Sequence, residues 1–421
     1  MGRSHRAALW TLLFVVAIGV HAGAQNVVLR VSGLDPENEV AAQLIELFEA
    51  RHPGIDVQAA PLPPSAPGTN WEIELSVQFV AGSAPDVIAA YGSKLYDWAE
   101  MGFLQDLAPL AVRDGVDLSL FEQEALRQYT IDGALYALPS GVSTSVIYYN
   151  KDMFLEAGLP FPGDNWTWDD LREYAVRLTV RTESGVQRYG LAFQGTLLYF
   201  NPWLRAAGGM FFDPADKRRI LLDQPEAFEA LEFIAGMVRD EILLVEGAWW
   251  GPFHEQQYAM LYDGSWLLPH FLRLPVPFEL GVAPMPIGPA DRVAFLNSSS
   301  YVINAQTDVL DAAWQFVRFM TSEEVLRLQL EADPGGIPAL STLWPEWVSR
   351  FAWEFPQGRE LSNVVVDAFN NYTVTEPFFL NNQETRAQID AALMAVWRGA
   401  KPVPIAMEEL VSALNAQLSN L

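Results

Sequence analysis

The segment from Asp132 to Asn150, DGALYALPSGVSTSVIYYN, constrains the fold of this chain more than any other. It begins with the tight-turn dipeptide Asp132-Gly133, and Ala134 to Leu138 then reads as a short strand that the next residue, a proline, stops. A second strand-like run, Val146 to Tyr149, follows after the small, hydroxyl-rich stretch Ser140 to Ser145. The segment therefore predicts a crossing between two lobes rather than one strand inside a lobe.

Length and composition favour two domains. The chain has 421 residues, of which 50% are hydrophobic, so it can bury a large core. Its net charge of −26 makes nucleic acid and anionic lipid surfaces poor partners. It contains no cysteine, which excludes disulfides, thiolate metal sites and cysteine nucleophiles.

The N-terminus reads as a secretory signal peptide over residues 1–24. Arg3 and Arg6 precede an apolar run from Ala7 to Val20, and Ala22-Gly23-Ala24 is a small-x-small cleavage site. The run is shorter than the roughly 20 residues that span a bilayer as a helix. The chain is therefore expected to be exported.

Residues 27–57 read as a strand, a helix and a second strand, which predicts a right-handed βαβ unit. The loop after the first strand lies at a strand's carboxyl end, where open α/β sheets bind ligands. Asp35 and Glu37 could accept hydrogen bonds from ligand hydroxyls there. The alternative, that Asp35 or Asn38 caps the helix, fits the loop equally well.

Several ordered motifs resemble one family. They are LYALP at residues 135–139, YYNKDMFLEAGL at 148–159, WTWDDL at 166–171, AGSAPDV at 81–87 and an AM-x-x-x-G-x-W pattern at 259–266. Together they resemble the extracellular solute-binding proteins of carbohydrate ABC importers, the maltose-binding-like family 1. The resemblance implies an α/β fold of two lobes, the type II periplasmic binding fold, with hinge strands and a ligand cleft between the lobes.

The resemblance also implies where the lobes lie. Residues 25–141 and 286–333 are expected to form the first lobe, and residues 142–285 and 334–421 the second. Residues 284–289 match the return crossing and residues 334–338 a third crossing. Thr167, with Asp170 three residues later, is expected to cap the helix that opens the second lobe.

The expected function is that of a receptor that captures a mono- or oligosaccharide and delivers it to the membrane subunits of an ABC permease. We expect a monomer that binds without turnover and needs no cofactor or metal; His52, His254 and His270 are scattered without ligand spacing. Relatives from single-membrane bacteria are often tethered through a cysteine after the leader. Without one, a free periplasmic protein is expected, although the leader could also be kept as an anchor.

The resemblance carries candidate ligand contacts over to this chain. The expected contacts are Trp266, Tyr91, Ser143, Tyr199 and Trp249. In the family pattern the tryptophan that matches Trp266 faces the cleft, and relatives have a ring-stacking aromatic near Tyr199. Maltose binders carry a glutamate at the position of Ser143. The expected polar supports are Asp35, Glu37, Lys94, Asn297 and Ser299. Maltose binders carry an acid and an arginine at the positions of Ser93 and Lys94; the acid is missing here, which argues against simply transferring maltose as the ligand.

Aromatic residues support carbohydrate independently of the resemblance. The chain contains 14 Trp, 13 Tyr and 24 Phe, several at predicted strand ends, and a sugar ring offers a C–H face to such rings and a rim of hydroxyls to polar groups. Much of this content must still be core. Trp168 is interpreted as packing, and Trp203 fits core and cleft equally well.

Two alternatives stay open. A secreted glycoside hydrolase needs only two carboxylates across a cleft, which counting residues cannot exclude. A polyol or a glycerol-phosphate ester could occupy the same fold. A phosphate ester would call for clustered arginines, and none lie near the predicted strand ends.

Overall fold

The structure, a computed structural model, describes residues 26–62, 71–91, 95–333, 336–354, 358–375 and 382–419. The predicted leader, Lys94 and the start of the predicted third crossing at residues 334–335 lie outside these ranges, as does the side chain of Tyr91. Within the ranges, no helix combines the length and the apolar character needed to cross a bilayer.

The strands are β1 Val27–Ser32, β2 Ile55–Ala60, β3 Val87–Tyr91, β4 Thr130–Ile131, β5 Ala134–Leu135, β6 Leu138–Asn150, β7 Val180–Thr182, β8 Gly185–Ala192, β9 Phe212–Asp213, β10 Asp216–Ile220, β11 Leu243–Leu244, β12 Tyr258–Gly264, β13 Leu280–Ala283, β14 Ala294–Ile303, β15 Ile337–Pro338 and β16 Thr373–Thr375.

The helices are α1 Glu39–Arg51, α2 Trp71–Val80, α3 Leu95–Glu100, α4 Ala108–Arg113, α5 Gln123–Gln128, α6 Lys151–Glu156, α7 Trp168–Leu178, α8 Leu197–Ala206, α9 Pro225–Arg239, α10 Trp250–His254, α11 Leu268–Arg273, α12 Leu310–Met320, α13 Glu323–Ala332, α14 Trp344–Glu354, α15 Gly358–Asn371, α16 Asn382–Trp397 and α17 Val403–Leu418. Short 3₁₀ turns lie at Leu118–Leu120, Ser265–Leu267 and Ser341–Leu343.

The first elements form the predicted βαβ unit. β1 pairs in parallel with β2, starting with Val27 opposite Ile55, and also with β3. Gly33, at the end of β1, has a φ of +91°, and a Cβ there would lie 2.3 Å from the carbonyl oxygen of Ala89. Glycine is required because β1 ends in direct backbone contact with β3.

Strand β6 connects two groups of strands. Its first half, from Leu138 to Thr144, pairs antiparallel with β14, and its second half, from Ser145 to Asn150, pairs antiparallel with β12 and, in part, with β13. The predicted crossing is confirmed, but the predicted break at Pro139 is wrong. Pro139 is the second residue of β6 and lies at a register irregularity with β14, a position where a missing N–H is tolerated.

Two hydrophobic cores confirm the two-lobe α/β fold. One contains the fully buried Trp98 and Trp314 and extends along one face of β12 and β13. The other lies among α7, α8, α9, α16 and α17. It contains Trp203, which is 1% exposed and packs against Trp168, so both of these tryptophans are core residues.

The cap of α7 and the return crossing were both predicted. The side chain of Thr167 accepts from the backbone N–H of Asp170, whose carboxylate accepts from the N–H of Thr167, which confirms the capping box. The return crossing expected at residues 284–289 stays a prediction. Ile287 pairs with Thr167, and the N–H of Ala290 donates to the carbonyl oxygen of Ala206. Buried residues at the start of β14 belong to one core, and those further along it belong to the other.

Candidate functional site

A cavity of about 1080 Å³ lies between the two lobes. The first lobe contributes the loop after β1, the end of β3 and one face of α13, and the second contributes the start of α8 and the 3₁₀ turn after β12. The middle portions of β6 and β14 also line it. A cavity with walls from both lobes changes shape whenever the lobes move relative to each other.

Six of the predicted site residues line this cavity together. They come from β6, β14, α8 and the segments around α10 and the second 3₁₀ turn, and they are Ser143, Tyr199, Trp249, Trp266, Asn297 and Ser299.

Two further predicted residues lie in the loop after β1. Asp35 and Glu37 are exposed and are not among the lining residues, although Leu34 and Asn38 are. Asp35 Oδ1 accepts from the backbone N–H of Glu37, while the side chain of Asn38 accepts from the N–H groups of Val40 and Ala41. Asn38 therefore caps α1, which was one of the two interpretations of this loop.

Small hydroxyl-bearing residues bring β6 and β14 together at the cavity wall. Ser143 Oγ donates to the carbonyl oxygen of Asn297 at 3.2 Å, and the hydroxyl oxygens of Ser140 and Ser299 lie 3.2 Å apart. A Cβ on Gly141 would lie 2.9 Å from Ser299 Oγ. The composition of the crossing segment thus produces a polar wall with exchangeable hydrogen bonds.

Aromatic side chains form another part of the lining, the aromatic wall: Tyr199, Trp249 and Trp266. Trp266 stacks on Phe295, with ring centroids 5.4 Å apart and planes 14° apart. Tyr199 is 8% exposed, whereas Trp249 is 59% exposed at the rim. The backbone of Trp249 is held by Tyr258, whose hydroxyl accepts from the N–H of Trp249 and donates to its carbonyl.

A buried carboxylate lies behind this aromatic wall. Asp263, on β12, is 6% exposed and accepts from the Tyr199 hydroxyl at 2.8 Å and from the Gly264 N–H at 2.7 Å. Burial raises the pKa of Asp263 to about 6, while the hydrogen bonds from the Gly264 N–H and the Tyr199 hydroxyl lower it. Burial also raises the pKa of Tyr199, with the charge of Asp263 adding to the effect. The hydroxyl of Tyr199 therefore donates to Asp263, while the Tyr199 side chain also lines the cavity.

The sequence interpretation missed one wall. α13 and the residue after it place Leu326, Gln329, Leu330 and Asp333 against the cavity, at positions i, i+3, i+4 and i+7 of one helix face. Apolar residues alternate on this face with Gln329 and Asp333. This mixed pattern in the sequence could have indicated that the face is only partly buried. Asp333 is engaged by Arg273 at 3.1 Å.

Neutral groups dominate the lining. Among the described lining residues, Asp333 is the one with a charged side chain, and none is basic. No group of three or more His, Cys, Asp or Glu in the described ranges is placed to hold a metal ion. Hydroxyls and amides come from Asn38, Ser140, Ser143, Ser265, Asn297, Ser298, Ser299, Ser300, Tyr301 and Gln329.

Residues 35–326 match the family of bacterial extracellular solute-binding proteins. The chain belongs to this family. The resemblance carried by its motifs is thereby confirmed. Members of the family are substrate-binding proteins, not enzymes.

This solute-binding protein is similar to relatives named for, or solved with, sugars and to one solved with a different ligand. It is 24% identical to a multiple sugar-binding protein of Streptococcus mutans, over 69% of this chain and 70% of the relative. An ABC substrate-binding protein of Listeria monocytogenes, solved with cycloalternan, has a TM-score of 0.80 and 21% identity, covering 94% of this chain and 99% of that one. A Mycobacterium tuberculosis protein solved with glycerophosphocholine has a TM-score of 0.77 and 21% identity, covering the same shares, 94% and 99%.

Proposed function

We propose that this solute-binding protein is the receptor of an ABC import system and that its solute is a neutral mono- or oligosaccharide. It would act as a periplasmic monomer that delivers the sugar to a membrane permease. The observation that carries the proposal is the lining of the 1080 Å³ cavity, which combines aromatic rings, hydroxyls and amides without a basic side chain among its described residues.

The chemistry of this lining suits a sugar. A sugar ring has an apolar C–H face that packs against aromatic rings, and its hydroxyls both donate and accept hydrogen bonds. Trp266 and Tyr199 supply rings deep in the cavity, and Trp249 supplies one at the rim. Ser143 and Ser299 can exchange their present hydrogen bonds for bonds to ligand hydroxyls. The cavity volume accommodates more than one sugar unit.

Binding would be coupled to closure of the two lobes. Contacts from both lobes exist together only when the cleft is shut, so a sugar that touches both shifts the population toward the closed form. We place the hinge in β6 and β14, with residues 25–141 and the segment from the end of β14 to residue 333 in the first lobe. Residues 142–285, the first part of β14 and residues 334–421 would form the second. A permease would then recognise the closed shape.

The lining favours binding over hydrolysis. A glycoside hydrolase needs two carboxylates facing the scissile bond. Among the described lining residues only Asp333 carries a carboxylate, and it is paired with Arg273. Asp263 lies behind Tyr199 and Trp266, out of reach of a bound sugar. We therefore propose that the sugar leaves unchanged.

The same lining argues against an anionic solute. A glycerol-phosphate ester would need arginine or lysine donors to compensate its charge. A neutral polyol remains the closest competitor, because it offers the same hydroxyls without the ring face. Aromatic stacking distinguishes a sugar from a polyol, because the open chain of a polyol cannot cover the Trp266 ring as a sugar ring does.

Thermal unfolding of the mature protein with a panel of solutes tests the proposal. The panel contains maltose, maltotriose, arabinose, galactose, sorbitol, glycerol and glycerol 3-phosphate. A solute at 100 times its Kd adds about 2.7 kcal/mol to the free energy of unfolding, which raises Tm visibly. A rise with one of the sugars, recovered intact afterwards, is the expected result. A rise only with glycerol 3-phosphate, or release of reducing ends from an oligosaccharide, would contradict the proposal.

A further inference from the structure

Asp263 is a carboxylate buried without a cation. It is 6% exposed, and among the described residues no lysine, arginine or histidine forms an ion pair with it. It faces Val146 of β6 across the sheet, and its neighbours from other elements are the phenols of Tyr148 and Tyr199. Burying an unpaired charge is costly, so such a group usually has a role beyond packing.

Asp263 is tied to two residues of the aromatic wall, one directly and one through the backbone. Tyr199 is on α8, and its hydroxyl donates to Asp263 at 2.8 Å. The Gly264 N–H donates to Asp263 at 2.7 Å, and the ring of Trp266 packs on Gly264, where a Cβ would lie 2.3 Å from Trp266 Cε3. Both Tyr199 and Trp266 line the cavity.

We infer that Asp263 is a positioning residue: its ionised carboxylate holds Tyr199, and through the Gly264 N–H the backbone on which Trp266 packs, in the arrangement that binds the sugar, and its protonation weakens sugar binding. The inference rests on the proposed function and adds a residue to it that does not touch the ligand. It also adds a dependence on pH that a neutral cavity lining would not have.

The two protonation states differ in what they offer to the rings. A carboxylate only accepts, so it can take hydrogen bonds from the Tyr199 hydroxyl and the Gly264 N–H together. A protonated acid carries its own O–H donor, which removes one acceptor site and roughly halves the strength of the remaining hydrogen bonds. The Tyr199 ring and the backbone beneath Trp266 are then held less firmly.

Among the described residues that face Asp263, the other titratable groups stay neutral. They are Tyr199 from α8, Tyr148 from β6, and Tyr258 and Tyr262 from its own strand, and burial raises the pKa of each of these phenols. Burial raises the pKa of Asp263 to about 6. Asp263 is therefore the member of this group that changes charge between pH 5 and pH 7.5.

The sign of the effect follows from the burial of Asp263. Because the carboxylate is already almost completely buried, a bound sugar removes little further water from it and does not raise its pKa much by desolvation. The remaining effect of Asp263 protonation on sugar affinity acts through the rings of Tyr199 and Trp266. Sugar affinity is therefore constant above about pH 7 and falls as pH drops through about 6, to roughly one third to one tenth at pH 5, the loss expected when a charge-assisted hydrogen bond becomes a neutral one.

The test measures the Kd of the sugar that raises Tm most in the panel, by calorimetric titration at pH 5 to 8. The wild-type protein is compared with Asp263→Asn, Tyr199→Phe and Glu122→Gln. Glu122 is a matched control because it is also a buried acid, 7% exposed, whose pKa burial raises, but it caps α5 and is not among the cavity lining residues.

The expected result is a wild-type affinity that falls below pH 6, an Asp263→Asn affinity that is reduced and independent of pH, and a Glu122→Gln profile like that of the wild type. Tyr199→Phe should move the midpoint of the profile to higher pH, because the carboxylate loses a donor that lowers its pKa. A wild-type affinity that does not change with pH, or a pH dependence that persists in Asp263→Asn, would overturn the inference while leaving the proposed function intact. Absence of wild-type binding to every panel member would overturn both.

Discussion

Trp266 and Phe295 form a stacked pair, with 5.4 Å between the ring centroids. Phe295 lies near the start of β14, the strand along which the chain returns to the first lobe, whereas Trp266 follows β12 of the second lobe. The orientation of Trp266 toward the cavity is therefore fixed by a strand that continues into the other lobe. A movement of the lobes about β14 would act directly beside this ring.

Trp266→Ala should lower sugar affinity by roughly 30- to 100-fold, about 2 kcal/mol or slightly more, because it removes a stacking face at the centre of the site. Calorimetric titration with the best sugar of the panel measures this. Trp353→Ala is the matched control, since Trp353 is 84% exposed on α14 and does not line the cavity. Equal affinities of the two variants would show that the sugar binds elsewhere.

Asp263 should make the free energy of unfolding depend on pH. Its folded-state pKa of about 6 lies above the ordinary value of 3.8, so the stability that it contributes is present below pH 4 and is lost as pH rises through 6. The difference between these two pKa values corresponds to about 3 kcal/mol of the free energy of unfolding, and about half of that contribution is lost between pH 5 and pH 8.

Asp263→Asn removes this titration. Denaturant unfolding should show the variant gaining about 1–2 kcal/mol relative to the wild type between pH 5 and pH 8. A difference between Asp263→Asn and wild type that is the same at both pH values would mean that Asp263 does not titrate in this range.

Gly190→Ala should destabilise the protein by about 1–3 kcal/mol or more, since overpacking against a rigid neighbour forces the backbone to shift. Gly190 lies on β8 against α7, and a Cβ there would be 2.1 Å from the carbonyl oxygen of Ala175. Gly163→Ala is the control, because nothing lies within 4 Å of its Cβ position. The denaturant midpoints of the two variants are compared by chemical denaturation. Equal midpoints would contradict the close packing of β8 on α7.

Thr167→Ala should cost about 1 kcal/mol of stability, because it removes the side-chain half of the capping box at the start of α7. Thr167→Ser keeps the hydroxyl and should stay within about 0.5 kcal/mol of the wild type. The two midpoints of urea unfolding are compared. A serine variant as unstable as the alanine variant would assign the loss to the methyl group instead.

The lobe crossing and the polar half of the site could be predicted from local sequence. The crossing within Asp132–Asn150 could be predicted from its turn residues and its hydroxyl-rich composition. The order of the motifs predicted Ser143, Asn297 and Ser299 as members of one site. The break at Pro139 was wrong because the pairing register of β14 decides whether a proline interrupts a ladder. That register depends on a strand 150 residues or more away in the chain, as the Ser145 to Phe295 contact shows.

The choice of helix cap and the burial of Asp263 were out of reach of sequence reasoning. Asp35 and Asn38 were equivalent candidates for a cap, and only the geometry of the loop assigns the cap to Asn38. Nothing in the sequence around Asp263 distinguishes it from a surface carboxylate, because its burial results from packing of α8 and β6 on β12. Tertiary packing, not local pattern, selects which carboxylate lies behind the aromatic wall.

The central claim is that the interlobe cavity binds a neutral sugar and releases it unchanged. The most direct measurement is equilibrium dialysis of the mature protein against each sugar of the panel, with chromatography of the recovered sugar and Trp266→Ala in a parallel chamber. We predict one sugar per wild-type chain, recovered intact, and little retained by Trp266→Ala. Equal retention by both proteins, or recovery of shorter sugars than were added, would contradict the account.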